Sequence, residues 1–371
     1  MFSSRARGKL SVYLTTAMAL TVLPPIVATA SAQYQLISLV ANENDLGHRI
    51  PKAEHLDPHL ANAWGLTYGA TSPFWISDEY TGFSTLYTAD GTAQSLVVQV
   101  NRAPGDPLNP GSPTGIVANP TTGFVISEGG PSGPARFIFA TLDGTIAGWN
   151  PQVDPLDTVV ALDNSSKGAA YTGLDIQVSD SGAFLYAANA ATNKIEKYDS
   201  NFNLVATLSD PSIPPPFGAY GVSVLQGQVY VTYTTVFPGK PGDGIVDVFD
   251  ADGNPRTLIG ITPDGPLNIP WGMAIAPADF GTFSGALLVG NVQDGRINAF
   301  DPNSGDFLGT LSKKNRKPIE VPGLWGLKFG GGSPNNGNTN ELFITAGPDT
   351  YTGGLFGKIV LADDNQTTSP Q

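Results

Sequence analysis

Cysteine is absent from the 371 residues, which excludes disulfides and thiolate chemistry together. Histidine is almost absent: His48, His55 and His59 are the only three, all in one short stretch, so a base of that kind has few places to come from. Charged residues make up only 14% of the chain, and 19 Lys and Arg face 32 Asp and Glu for a net charge of −13. Such a chain repels nucleic-acid backbones and anionic lipid. The partners left are a small molecule, a glycan or another protein. No Gly-x-Ser-x-Gly elbow, P-loop or dinucleotide fingerprint stands in a suitable strand–helix context. Beyond residue 23 no apolar run approaches the roughly 20 residues of a membrane-spanning helix.

The one apolar run lies at the start. Arg5, Arg7 and Lys9 precede an apolar stretch over residues 10–23, and Ala30-Ser31-Ala32 follows it. A positive region, a short apolar core and an A-x-A site are the parts of a secretory signal peptide. Residues 1–32 are read as that peptide, against an uncleaved anchor that Pro24-Pro25 argues against. The product is expected to be secreted or periplasmic, monomeric and without a membrane span. It is more acidic than the whole chain, because the leader carries three basic residues and no acidic one.

What the chain has in quantity is turn formers, 44 Gly and 31 Pro, which suit many short strands. A phrase of the form x-Gly-apolar recurs as Trp64-Gly65-Leu66, Thr114-Gly115-Ile116, Thr172-Gly173-Leu174, Tyr220-Gly221-Val222, Trp271-Gly272-Met273 and Trp325-Gly326-Leu327. Its glycines lie 50, 58, 48, 51 and 54 residues apart. A second phrase follows each time: a near-alternating apolar strand ending at Asp or Asn, over residues 84–90, 144–150, 193–199, 244–250, 295–301 and 357–363. Asp90-Gly91 and Asp252-Gly253 are hairpin turn dipeptides. Second strands fit residues 74–77, 184–187, 229–232, 287–290 and 342–345, while the second unit offers both 124–127 and 137–140. A period of this length with four short strands per unit predicts an all-β fold, a six-bladed β-propeller of four-stranded blades. The last unit lacks a fourth strand, and residues 34–40 are expected to supply it and close the ring. One domain is expected over residues 33–363, followed by a disordered polar tail over 364–371.

In such a ring the residues before the glycines gather on one face, with polar residues after the second strands. Trp64, Tyr220, Trp271 and Trp325 can then stack a sugar or a flat ligand. Strand alternation supplies a second reading, in which Trp64 joins Leu66 and Tyr68 inside a blade interface. Asp78, Asn189, Asn291 and Asp349 are oxygen donors suited to calcium or another divalent cation, or to capping their own turns. His59, should it face the channel beside Trp64, is the one candidate general base. Otherwise it belongs to a solvated loop.

The x-Gly strands, Phe74-Trp75-Ile76-Ser77-Asp78 and Arg296-Ile297-Asn298-Ala299-Phe300-Asp301 resemble NHL-repeat propellers. Residues 57–66, with 82–87 and 135–149, are similar to a family of exported bacterial six-bladed propellers without an assigned activity. That resemblance spans nearly the whole mature chain and implies fold and export. Lactonases of the gluconolactonase and regucalcin type are more distant in architecture. They hold a divalent metal with Glu, Asn and Asp placed immediately before the glycine. The matching residues here are Trp64, Thr114, Thr172, Tyr220, Trp271 and Trp325, none a carboxylate, so that metal site does not carry over. The expected function is an exported propeller that binds a ligand or partner at the channel mouth without catalysis. The alternative is a metal-assisted hydrolase or lyase at the channel, with Asp78, Asn189, Asn291 and Asp349 around the cation and His59 as base.

Overall fold

A computed structural model of the chain describes residues 33–235 and 237–362. The expected signal peptide and the expected tail both lie outside them. The fold is all-β. Its landmark strands are β1 (Tyr34–Ala41), β2 (Ala63–Thr67), β3 (Pro113–Ala118), β4 (Tyr171–Ser179), β5 (Gly218–Leu225), β6 (Pro270–Ile275), β7 (Leu324–Phe329) and β8 (Leu355–Leu361). β4, β5 and β6 each begin a four-stranded antiparallel sheet whose strands follow chain order. β2 and β3 begin two meanders that merge into one eight-stranded sheet through a single parallel pairing at Gln99 and Asp157. β7 begins the last sheet, in which β1 pairs antiparallel with β8 from Tyr34–Leu361 to Ala41–Leu355. The chain's early strand therefore covers what would be an open edge.

Each of β2 to β7 packs against the next, and β7 returns to β2. The recurring phrase explains this closeness. A Cβ added to Gly115 would sit 2.2 Å from the Leu174 backbone nitrogen, and one added to Gly272 would sit 2.3 Å from the Trp325 carbonyl oxygen. The glycines are the points where one first strand touches its neighbour's backbone, and at Gly115 and Gly272 no side chain fits.

The x-Gly step is also where the register slips. The pairing of every first strand with its second strand shifts across this step, for example between Ala63 and Leu66 and between Pro270 and Met273. Such bulges re-aim a side chain out of strand alternation. The freed backbone groups find partners in the adjacent sheets: Thr114 Oγ1 donates to the Tyr171 carbonyl at 2.7 Å, and Thr172 Oγ1 to the Tyr220 carbonyl at 2.7 Å.

The expected strands fall close to where the spacing places them. In the second unit Phe137–Thr141 takes the sheet position, whereas Val125–Ser127 pairs with Ser132–Pro134 in a separate hairpin. Apolar side chains fill the spaces between successive sheets; Phe74, Phe124, Phe139, Phe249, Phe300 and Phe343 are all fully buried. Among the described residues no helix is long and apolar enough to cross a membrane.

Candidate functional site: a central cavity floored by aromatics

The bulges turn the residue before each glycine toward the middle of the ring, where Trp64, Trp271 and Trp325 meet with Tyr220 packed against them. Trp64 stacks on Trp325 with ring centroids 3.7 Å apart, and Trp271 meets both edge-on at 5.8 Å. Hydrogen bonds fix the orientation. Trp325 Nε1 donates to Asn62 Oδ1 at 3.0 Å, and Trp271 Nε1 to the Thr172 carbonyl at 2.8 Å. Trp64, Trp271 and Trp325 are 5%, 8% and 1% exposed, and burial pushes the half-buried Tyr220 hydroxyl well above its ordinary pKa. These four residues converge as expected of a shared face, but their flat surfaces are covered by each other. In chemistry they are a plug of core, not an open stacking platform.

The open space lies at the other end of the first strands. A cavity of about 550 Å³ takes its lining from each of β2 to β7, from the glycines to the strand ends, with Trp271 in its floor. Its walls are mostly backbone and small apolar groups, with a few polar side chains, among them Tyr68, Asp175, Ser223, Gln226 and Lys328. Asp175 Oδ2 accepts the Val224 N–H at 2.6 Å and its Oδ1 the Ile176 N–H at 2.8 Å. Burial raises the Asp175 carboxyl above its usual range, while the charge of Lys328 and these two N–H donors pull it back. The Lys328 ammonium lies 5.5 Å from the centroid of the Tyr68 ring, and Tyr68 donates its hydroxyl to the Phe329 carbonyl at 2.8 Å.

The expected cation donors are engaged locally. Asn189 donates to Glu196 Oε1 at 2.9 Å and accepts the Ala170 N–H at 3.3 Å. Asn291 accepts the Asn268 N–H at 3.0 Å and donates to the Pro266 carbonyl at 2.8 Å. Asp78 is fully buried, accepts the Thr85 N–H at 3.0 Å through one oxygen, and is pushed well above the carboxylate range by burial. Asp349 is exposed in a turn whose residues Asp349, Thr350 and Tyr351 all take positive φ. No group of three or more His, Asp or Glu among the described residues is placed to hold a metal. A cation there would find the amides committed and the two carboxylates in opposite environments, one sealed and one solvated. His59 is exposed; its Nδ1 lies 3.1 Å from Asp57 Oδ1, and Tyr87 donates its hydroxyl to the other Asp57 oxygen at 2.9 Å. It lines no part of the cavity.

Asp247 is a different case. It is completely buried in the third strand of the β5 sheet, and neither oxygen meets a donor at hydrogen-bond distance. Burial, with Asp210 nearby, pushes its pKa up to about 6. A raised acid binds its proton more tightly in the folded state, so its contribution is favourable below pH ~4 and is lost as pH rises through 6. Asp247→Asn is therefore expected to stabilise the protein by about 2 kcal/mol at pH 7.5 and hardly at all at pH 4. Urea midpoints of both proteins at the two pH values check this; an equal change at both would show that ionisation is not the cause.

Asp175 and Lys328 were not singled out by the sequence reading, although a signal exists. They occupy the same place, two residues after the glycine, where the other first strands carry Thr67, Val117, Ser223 and Ala274. Aligning the glycines isolates one acid and one base in otherwise uncharged company.

No family model matches the chain. Two uncharacterized proteins of Acanthamoeba polyphaga mimivirus are each 32% identical to it. One aligns over 85% of this chain and 78% of its own length, the other over 89% and 87%. Among solved structures, a catalytically inactive virginiamycin B lyase from Staphylococcus aureus with quinupristin superposes with a TM-score of 0.53 at 12% identity, covering 89% of this chain and 99% of that one. A putative gluconolactonase gives 0.51 at 12% identity, covering 90% and 93%. At such identities the likeness speaks to fold alone, and the fold is propeller-like. The relatives are viral, so the bacterial attribution expected from the resemblance has no support. The chain belongs to the family of these uncharacterized mimivirus proteins.

Proposed function

We propose that the protein is an exported six-bladed propeller that binds a small polar molecule in the cavity on the ring axis, without catalysing a reaction on it. The closed cycle of contacts from β2 to β7 supports six blades, and the leader-like composition of residues 1–32 supports export. One observation carries the binding reading. A cavity of about 550 Å³, with Trp271 in its floor, has one acid and one base in an otherwise uncharged wall. That volume falls in the range of small-molecule sites, and the polar backbone in the wall suits a polar ligand. The aromatic end offers less, because a ligand would have to displace rings that already pack against one another.

Ser223 lies in the wall on β5 and is partly accessible. Ser223→Trp puts an indole into the cavity and leaves the residues of the aromatic cluster unchanged. It is expected to abolish binding of any ligand found by calorimetric or thermal-shift screening of metabolites, at least a hundredfold in Kd, with little change in Tm. Unaltered affinity in this variant would place the ligand elsewhere and end the reading.

A further inference from the structure

The positions of the two charges specify more than a polar ligand. Asp175 is on β4 and Lys328 on β7. In the cycle of first-strand contacts β4 and β7 are three steps apart in either direction, so these residues stand on opposite walls. They form no ion pair with each other, nor does Lys328 with any other described residue. Each Asp175 oxygen holds one backbone N–H and keeps room for a further donor. The Lys328 ammonium has three donors, a ring face beside it and the Asp175 charge within electrostatic reach but outside ion-pair distance. Two opposite charges in a confined space that do not meet as an ion pair are incompletely compensated, and a ligand that supplies both counter-charges completes the compensation.

Resting on the reading that the cavity holds the ligand, we propose that the ligand is a linear zwitterion with an ammonium at one end for Asp175 and a carboxylate at the other for Lys328. The fitting molecules carry them on separate ends, as a short unblocked peptide or an ω-amino acid does. The Tyr68 ring, beside Lys328, would lie against the ligand's apolar middle.

Titration calorimetry of the full protein with triglycine and with 6-aminohexanoate distinguishes the two sources of this chemistry. N-acetyl-triglycine, triglycine amide and a neutral disaccharide are the controls. The unblocked molecules are expected to bind, and blocking either end should weaken binding about tenfold to a hundredfold, the scale of one charged hydrogen bond. Asp175→Asn keeps the acceptor for the Val224 N–H and should remove the penalty for acetylation alone. Lys328→Gln should remove the penalty for amidation alone. Blocked and unblocked peptides binding equally would overturn the proposal. So would disaccharide binding that Ser223→Trp abolishes, although the cavity reading would then stand. If no probe binds in a way that Ser223→Trp prevents, both readings fall.

Discussion

Gly115→Ala is expected to destabilise the fold by about 3 kcal/mol or more, near the top of the range for overpacked sites. The new methyl would lie 2.2 Å from the Leu174 nitrogen and 2.8 Å from the Gly173 carbonyl carbon. Both are backbone atoms of the neighbouring first strand, so no rotamer change can clear them, and relief requires β3 and β4 to separate. Those strands belong to a cycle in which each is held by two neighbours, so one widened gap must be absorbed by the others. Gly173→Ala is the internal control. Its added carbon would meet Val222 N at 3.1 Å and Tyr220 O at 3.3 Å, contacts that a shift of a few tenths of an ångström removes. That variant should cost about 1 kcal/mol. Thermal melts followed by circular dichroism should show the first variant lowered by roughly 4 °C or more and the second by about 1–2 °C. Equal losses would mean that the glycines serve flexibility of the chain rather than close approach.

The same contrast shows how far the sequence could be read. The x-Gly phrase and the Asp-ending strands were legible because each reflects a hard local constraint, a backbone contact in one and a turn in the other. The second unit was ambiguous for a physical reason. Val125–Ser127 and Phe137–Thr141 are equally apolar, and only the partner strand selects between them. The direction of the side chains before the glycines was legible only by half. Alternation places Trp64 in an interface, whereas the register shift after Ala63 swings it to the axis, and a bulge leaves no mark on composition. The cavity leaves no local mark in the sequence. Asp175 and Lys328 are unremarkable in their own strands and acquire meaning only when the ring sets them opposite each other. The buried Asp247 was hidden likewise: in sequence it is one polar residue of an alternating strand, and its complete burial comes only with the packed sheet.

Trp325→Ala decides between the two meanings of the aromatic cluster. Trp325 is 1% exposed, stacks on Trp64 at 3.7 Å and is tied through Nε1 to Asn62. Asn62 in turn donates to Glu79 Oε2 at 2.7 Å while holding a positive φ of 47°. Removing the indole deletes a large buried side chain, leaves the Asn62 oxygen without its donor, and frees Trp64 and Trp271 from their shared contact. A buried Trp→Ala change costs about 3–5 kcal/mol, and the lost hydrogen bond adds about 1. The expected result is a loss of about 4 kcal/mol in urea unfolding, with a red shift in emission as Trp64 and Trp271 become wet. Trp325→Phe keeps part of the stacking but loses the Nε1 bond and some buried ring volume, so it should cost about half as much. If the cluster were instead a ligand platform, Trp325→Ala would leave stability nearly unchanged and lower affinity. The burial of all three rings argues for the first outcome: packed aromatics close one end of the axis, and a cavity at the other end exists because they do.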